Sequence, residues 1–208
     1  QQFRWTKGGA ENFVKIGSRI LSDKKLPVKK KVFGLFHLFN SAIFLCVFVT
    51  ALFSVPVLFV KYSFPEYDLL FKISSLFLVC TAMLMIFYWT SYQYKTRRLW
   101  ADMRHFVSDF FLFLSASMGL SLHNSMAVIE GYSGRKSPFV RTPKFNIVKK
   151  TDPWKGNAYL VKNLSFITIL EGFMTLYFLF AVISSLILKE YGLLPFHLML
   201  CWGFGYIF

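Results

Sequence analysis

Five residues at the start of the chain, Gln1-Gln2-Phe3-Arg4-Trp5, combine two amides, a guanidinium and an indole within little more than one helical turn. Arg and Gln donate hydrogen bonds to phosphate oxygens, and the planar Arg fork fits a diphosphate. Trp offers a flat apolar face with one N–H donor, which suits a sugar ring. A second cluster, Phe139-Val140-Arg141-Thr142-Pro143-Lys144, supplies a hydroxyl at Thr142, charge at Arg141 and Lys144, and a stacking face at Phe139. Gly131, Gly134 and Pro138 upstream of it permit a mobile connection, and a mobile loop with such groups can close over a nucleotide sugar and exclude water. Each cluster alone also has a plainer reading: the first as a polar helix start, the second as a basic loop lying on anionic lipid.

The elements that position these clusters are set by composition. The chain is 55% hydrophobic and only 16% charged, against about 25% charged in a soluble domain, which places it among integral membrane proteins. The net charge of +14 raises the question of a nucleic-acid partner, but its placement argues against one. Of the 24 Lys and Arg, nine lie in 1–31, four in 91–105 and eight in 124–163, flanking apolar runs. That is the pattern of a cytoplasmic membrane face. The same face would attract an anionic substrate. Cys46, Cys80 and Cys201 all fall in apolar runs, which gives neither a disulfide framework nor metal-ligand spacing. His37, His105, His123 and His197 likewise lack partners at metal spacing.

Residues 6–22 place Phe13, Ile16 and Ile20 on one face and Glu11, Lys15 and Arg19 on another, which predicts an interfacial amphipathic helix. A charged hinge broken by Pro27 follows. Residues 32–60 carry no charge and predict a span, with Pro56 as a kink near its far end. Residues 69–94 predict a second span, with Lys72 snorkelling near its start and Tyr88, Trp89, Tyr92 and Tyr94 as an aromatic belt at its end. Residues 104–123 pose a choice. Basic sequence stands on both sides, so the expectation is an interfacial or re-entrant helix with Ser108, Ser115 and Gly119 as a thin polar stripe, the alternative being an ordinary span that puts 124–163 outside. Residues 124–163, rich in Gly, Pro, Ser and charge, read as a long loop. Spans over 164–188 and 191–208 complete an all-α membrane fold. It has four transmembrane helices, two interfacial helices and a cytoplasmic loop on the side of the amino end.

The two clusters and their order resemble a known family. Gln1-Gln2-Phe3-Arg4-Trp5 matches the Q-x-x-R-W signature of membrane-embedded family 2 glycosyltransferases. These include cellulose, mannan and glucomannan, hyaluronan and chitin synthases and ceramide glucosyltransferase. The stretch Phe139 to Lys144 is similar to the F-x-V-T-x-K gating loop of cellulose synthases, with Arg141 where Val is usual. The stretch SLHNSMAVIEGYSGRKSPFVRTPKF also looks like the corresponding region of mannan-synthase-like proteins. The resemblance implies that Gln1, Arg4, Thr142 and Lys144 contact the diphosphate of a UDP- or GDP-linked sugar, and that Trp5 supports the acceptor. Phe139, Arg141, Thr142 and Lys144 would form the gating loop. Gln2 stands where some members carry a second Arg. The family's soluble GT-A domain, with its D-x-D site for a divalent Mg or Mn and its catalytic base, is expected upstream of Gln1. No catalytic acid or base is therefore assigned within this chain.

Glu171, two turns into its span, is a candidate channel-lining residue or one half of a polar pair between helices; a carboxylate at that depth costs a few kcal/mol unless paired or hydrated. The function expected is the membrane part of a processive enzyme that polymerises a β-linked polysaccharide and translocates it. Its partners would be a nucleotide sugar, a glycan or lipid acceptor and membrane lipid. The alternatives are a non-processive lipid glycosyltransferase and, in another class, a multipass transporter or assembly subunit with a basic cytoplasmic face.

Overall fold

The computed structural model describes residues 2–74, 78–93, 99–135 and 164–208. Among them every regular element is helical, as long apolar runs with few Gly or Pro dictate in a chain that must satisfy its own backbone. The order is α1 (Gln2–Ser22), α2 (Val28–Phe39), a 3-10 turn at Asn40–Ala42, and α3 (Ile43–Ser63). After a second 3-10 turn come α4 (Asp68–Ser74), α5 (Leu78–Gln93), α6 (Leu99–Gly119) and α7 (Ser121–Tyr132). The chain closes with α8 (Phe166–Ile187), a third such turn and α9 (Leu194–Ile207).

Two helical runs, Val28–Ser63 and Phe166–Ile187, are long and apolar enough to cross a membrane, and the bent pair Asp102–Gly119 with Ser121–Tyr132 makes a third if it acts as one span. The expected span over 69–94 falls on α4 and α5, with residues 75–77 between them outside the described set. The expected span over 191–208 falls on α9, whose 14 residues reach about 21 Å of the roughly 30 Å of hydrocarbon.

The helices divide into two compact units, one of residues 1–45 with 122–170 and one of 46–121 with 171–208. In the first unit α1 buries Thr6, Lys7, Ala10 and Gly17, a stripe of small and polar residues. The apolar face expected at Phe13, Ile16 and Ile20 divides. Phe13 packs its ring against Phe39 and Tyr132 at 5.2 and 5.8 Å, and Ile20 lies beside Gly34, whereas Ile16 is exposed. Small residues let backbones approach, so in a membrane protein they mark the packed face and larger apolar groups turn outward. The Lys31 ammonium donates to the Leu21 carbonyl at 2.7 Å and so caps the end of α1.

Helix α7 corrects the loop boundary at 124. It runs to Tyr132 because Ala127, Val128 and Gly131 are buried, and it ends in a Schellman motif. There Arg135 N–H donates to the Glu130 carbonyl at 3.1 Å and Gly134 N–H to the Gly131 carbonyl at 3.3 Å, with Gly134 at φ 68°. The two glycines are thus a packing position and a helix stop, in place of the mobile connection expected from them.

In the second unit α6 crosses α9 at Gly119 and Gly203. A Cβ on either would collide with the opposing backbone, at the Gly203 carbonyl and the Ser115 carbonyl respectively. Ser115 and Gly119 are buried there, and only Ser108 of the expected polar stripe is exposed. The stripe is a small-residue helix contact. Trp89 and Tyr92 of the expected aromatic belt pack on Phe106 of α6 at 5.0 and 5.4 Å, and Tyr88 lies on Phe110; Tyr94 lies outside the described residues. Lys72 pairs with Asp68 one turn earlier at 2.7 Å. At the far end of α3, Lys61 pairs with Glu190, which follows α8.

Pro56 sits inside α3 and supplies no N–H to the Leu52 carbonyl one turn back; the Tyr177 hydroxyl of α8 donates to that carbonyl at 2.8 Å. Nearby, the fully buried His197 of α9 lies between two serines, Nε2 3.1 Å from Ser54 Oγ and Nδ1 3.3 Å from Ser185 Oγ. Ser54 gives its own proton to the Ala51 carbonyl at 2.7 Å, so it accepts from His197. The tautomer that fits is Nε2–H, with Nδ1 accepting from Ser185. Among the described residues no acid joins this group, and its hydroxyls serve to satisfy a buried ring. Phe178 and Phe204 stack beside it at 5.6 Å as the centre of the core.

Candidate functional site

The first two turns of α1 present two faces. At 3.6 residues per turn, Phe3, Thr6, Lys7 and Ala10 share one side, and Trp5 falls about 200° from Phe3 and Lys7. The first side is held by α7. The Phe3 ring meets the His123 ring edge-on at 5.2 Å, Thr6 Oγ1 donates to Asn124 Oδ1 at 3.3 Å, and Lys7 Nζ stands 2.9 Å from Glu130 Oε2. Below these, Gly131 lies so close to α1 that a Cβ there would sit 2.6 Å from the Ala10 Cβ and 2.8 Å from the Lys7 carbonyl. Contacts advance in the same direction along both helices, so α1 and α7 run parallel in this unit.

Held by that face, α1 leaves Trp5 59% exposed and Arg4 partly exposed beside it. An indole face with a guanidinium one residue away is an arrangement that can meet a sugar ring and its phosphate together. Lys7 is different in kind. It is 4% exposed, and a buried ammonium is tolerated because a carboxylate and further contacts surround it. Glu130 also faces Arg135, whose Nη1 lies 3.7 Å from the second oxygen, Oε1.

Of the residues expected at the site, Arg4 and Trp5 are thus placed side by side on α1. Gln1, Phe139, Arg141, Thr142 and Lys144 lie outside the described residues. Glu171 belongs to the other unit. It is 3% exposed on α8, and its Oε1 is buried with no hydrogen-bond partner among the described residues. Among the described residues no group of three or more His, Cys, Asp or Glu comes together in a way that could hold a metal.

The residues that sequence reasoning passed over are Thr6, Lys7 and Glu130, which together with Asn124 fix α1 against α7. One signal was present. The chain has only 10 acids to 24 bases, so an acid inside the basic stretch 124–163 has many cations to choose from and is a natural pairing point. Comparison with family models, with curated proteins and with solved structures returns no match.

Proposed function

We propose that this chain is the membrane region of a family 2 glycosyltransferase, which elongates a β-linked polysaccharide from a nucleotide sugar at the cytoplasmic face and passes the product through its spans. In this reading the fold has four transmembrane helices, α1 and α6 lie at the interface, and the amino end and residues 124–163 share the cytoplasmic side. The observation that carries the reading is the pairing of two segments 118 residues apart, Thr6 with Asn124. The helix that bears the Q-x-x-R-W match is fastened along the helix that leads toward the gating-loop match. The exposed Trp5 with Arg4 beside it supports the same reading.

The reaction is attack by an acceptor hydroxyl oxygen on the anomeric carbon, with cleavage of the bond from that carbon to the diphosphate oxygen. The proton passes to a base on the upstream domain. Charge builds on the leaving diphosphate as its bond breaks, and Arg4 with Gln1 would stabilise it by charge-assisted hydrogen bonds that strengthen as the charge develops. Trp5 would carry the acceptor ring and hold its hydroxyl in line. Thr142 and Lys144 would add contacts to the nucleotide, with Phe139 and Arg141 flanking them. A divalent Mg or Mn on the upstream D-x-D site would share the diphosphate charge.

The test is polymer synthesis by the full-length enzyme in membranes. Arg4→Ala and Trp5→Ala should each abolish product while leaving membrane insertion unchanged, and normal yield from either would remove the reading. Product length on a gel separates a polymer from single addition to a lipid.

A further inference from the structure

We propose that Glu130 is a positioning residue that holds the turn of α1 carrying Arg4 and Trp5 and, with the same carboxylate, the residue that leaves α7. The inference rests on the glycosyltransferase reading above. Its two oxygens are divided between two cations. Oε2 lies 2.9 Å from the buried Lys7 ammonium, and Oε1 lies 3.7 Å from the Arg135 guanidinium. Arg135 is also the residue whose N–H closes the Schellman motif on the Glu130 carbonyl at 3.1 Å. The side chain and the backbone of Glu130 therefore act on the same neighbour. Where that motif usually carries an apolar contact between these two positions, this chain carries an ion pair.

On α1, Lys7 stands three residues after Arg4, so the two project from adjacent turns of one helix. Any rotation or slide of α1 that separates Lys7 from Glu130 moves Arg4 and Trp5 by a comparable amount. Gly131 leaves no slack in the other direction, because α1 already touches its backbone. Removal of the carboxylate takes a countercharge from a buried ammonium, and the balance then favours a shift of the helix that brings that charge nearer water. Misplacement by about 1 Å of groups that orient a reacting sugar costs on the order of 100-fold in rate. Glu130 does this without touching substrate.

The experiment uses the full-length enzyme, purified and monodisperse, with three variants: Glu130→Gln, Lys7→Met, and the exchange Lys7→Glu with Glu130→Lys. Folded Glu130→Gln and Lys7→Met should lose roughly 10- to 100-fold in kcat/KM, and the exchange should recover most of that loss. Trypsin cleavage after Arg135 should be roughly two- to fivefold faster in Glu130→Gln, as expected for loss of an exposed ion pair. A Glu130→Gln enzyme with wild-type kcat/KM and wild-type cleavage at Arg135, beside an inactive Arg4→Ala, overturns the positioning role and leaves the enzyme reading standing. A fully active Arg4→Ala removes the enzyme reading itself, and the cleavage rate then decides alone whether Glu130 holds Arg135. If Glu130→Gln does not fold, the exchange carries the test: activity within a few-fold of wild type supports the role, and a folded but inactive exchange overturns it.

Discussion

The Tyr177 hydroxyl donates to the Leu52 carbonyl at 2.8 Å, the acceptor that Pro56 leaves without its helical donor. In hydrocarbon no water can take that place, so α8 supplies the hydrogen bond that α3 lacks. Tyr177→Phe should lower stability by about 0.6 kcal/mol, and by no more than about 1.7 kcal/mol, the average and the upper end measured for interhelical hydrogen bonds in a membrane protein. In a Pro56→Ala background the helix N–H returns, and the same substitution should cost much less. Unfolding of the two single variants and the double variant in detergent micelles measures the coupling. Additive losses would show that Tyr177 acts through packing alone.

Lys189 holds φ 58° at the end of α8, where Glu190 N–H reaches the Ser185 carbonyl at 3.0 Å and Lys189 N–H the Leu186 carbonyl at 3.3 Å. That is the position glycine occupies in a Schellman motif, and a side chain there costs about 1 kcal/mol. Lys189→Gly should therefore raise thermal stability by about that amount. An unchanged or lower midpoint would mean that the side chain contributes something the backbone argument omits.

Close contact between α6 and α9 depends on two residues without a Cβ. Gly119→Ala and Gly203→Ala should each destabilise the fold by about 1–3 kcal/mol, because an added methyl meets backbone that cannot yield. Gly8 is the control. A Cβ there meets nothing within 4 Å, and Gly8→Ala in mid-helix should gain up to about 1 kcal/mol. Equal losses at all three positions, read by thermal unfolding, would contradict the packing account.

The sequence announced the helices well and their mutual packing poorly, for a physical reason. Uncharged runs such as 32–60 leave no alternative to helix in a membrane chain. Which side of a helix faces a partner is another matter, because lipid and protein interior are equally apolar and hydropathy does not separate them. Ile16 and Ser115 illustrate the inversion, the one apolar and exposed, the other polar and buried. Gly131 and Gly134 looked like flexibility, yet one admits α1 and the other ends α7. A reading that tried Gly134 as a helix stop would have carried α7 to Tyr132. The Lys7–Glu130 pair spans 123 positions, and no local pattern announces it. Arg4 and Trp5 stand together for a local reason, since neighbours in sequence share one turn of α1.

Nucleotide capture tests the central claim most directly. Full-length protein in membranes is photolabelled with azido analogues of UDP and GDP, in wild type and in Arg4→Ala. Charge-assisted hydrogen bonds contribute about 1.5–3 kcal/mol, so the account predicts saturable labelling by one of the two analogues, with apparent affinity weakened roughly 10- to 150-fold by Arg4→Ala. Labelling that does not saturate with either analogue, or that saturates at the same concentration in both proteins, would contradict it.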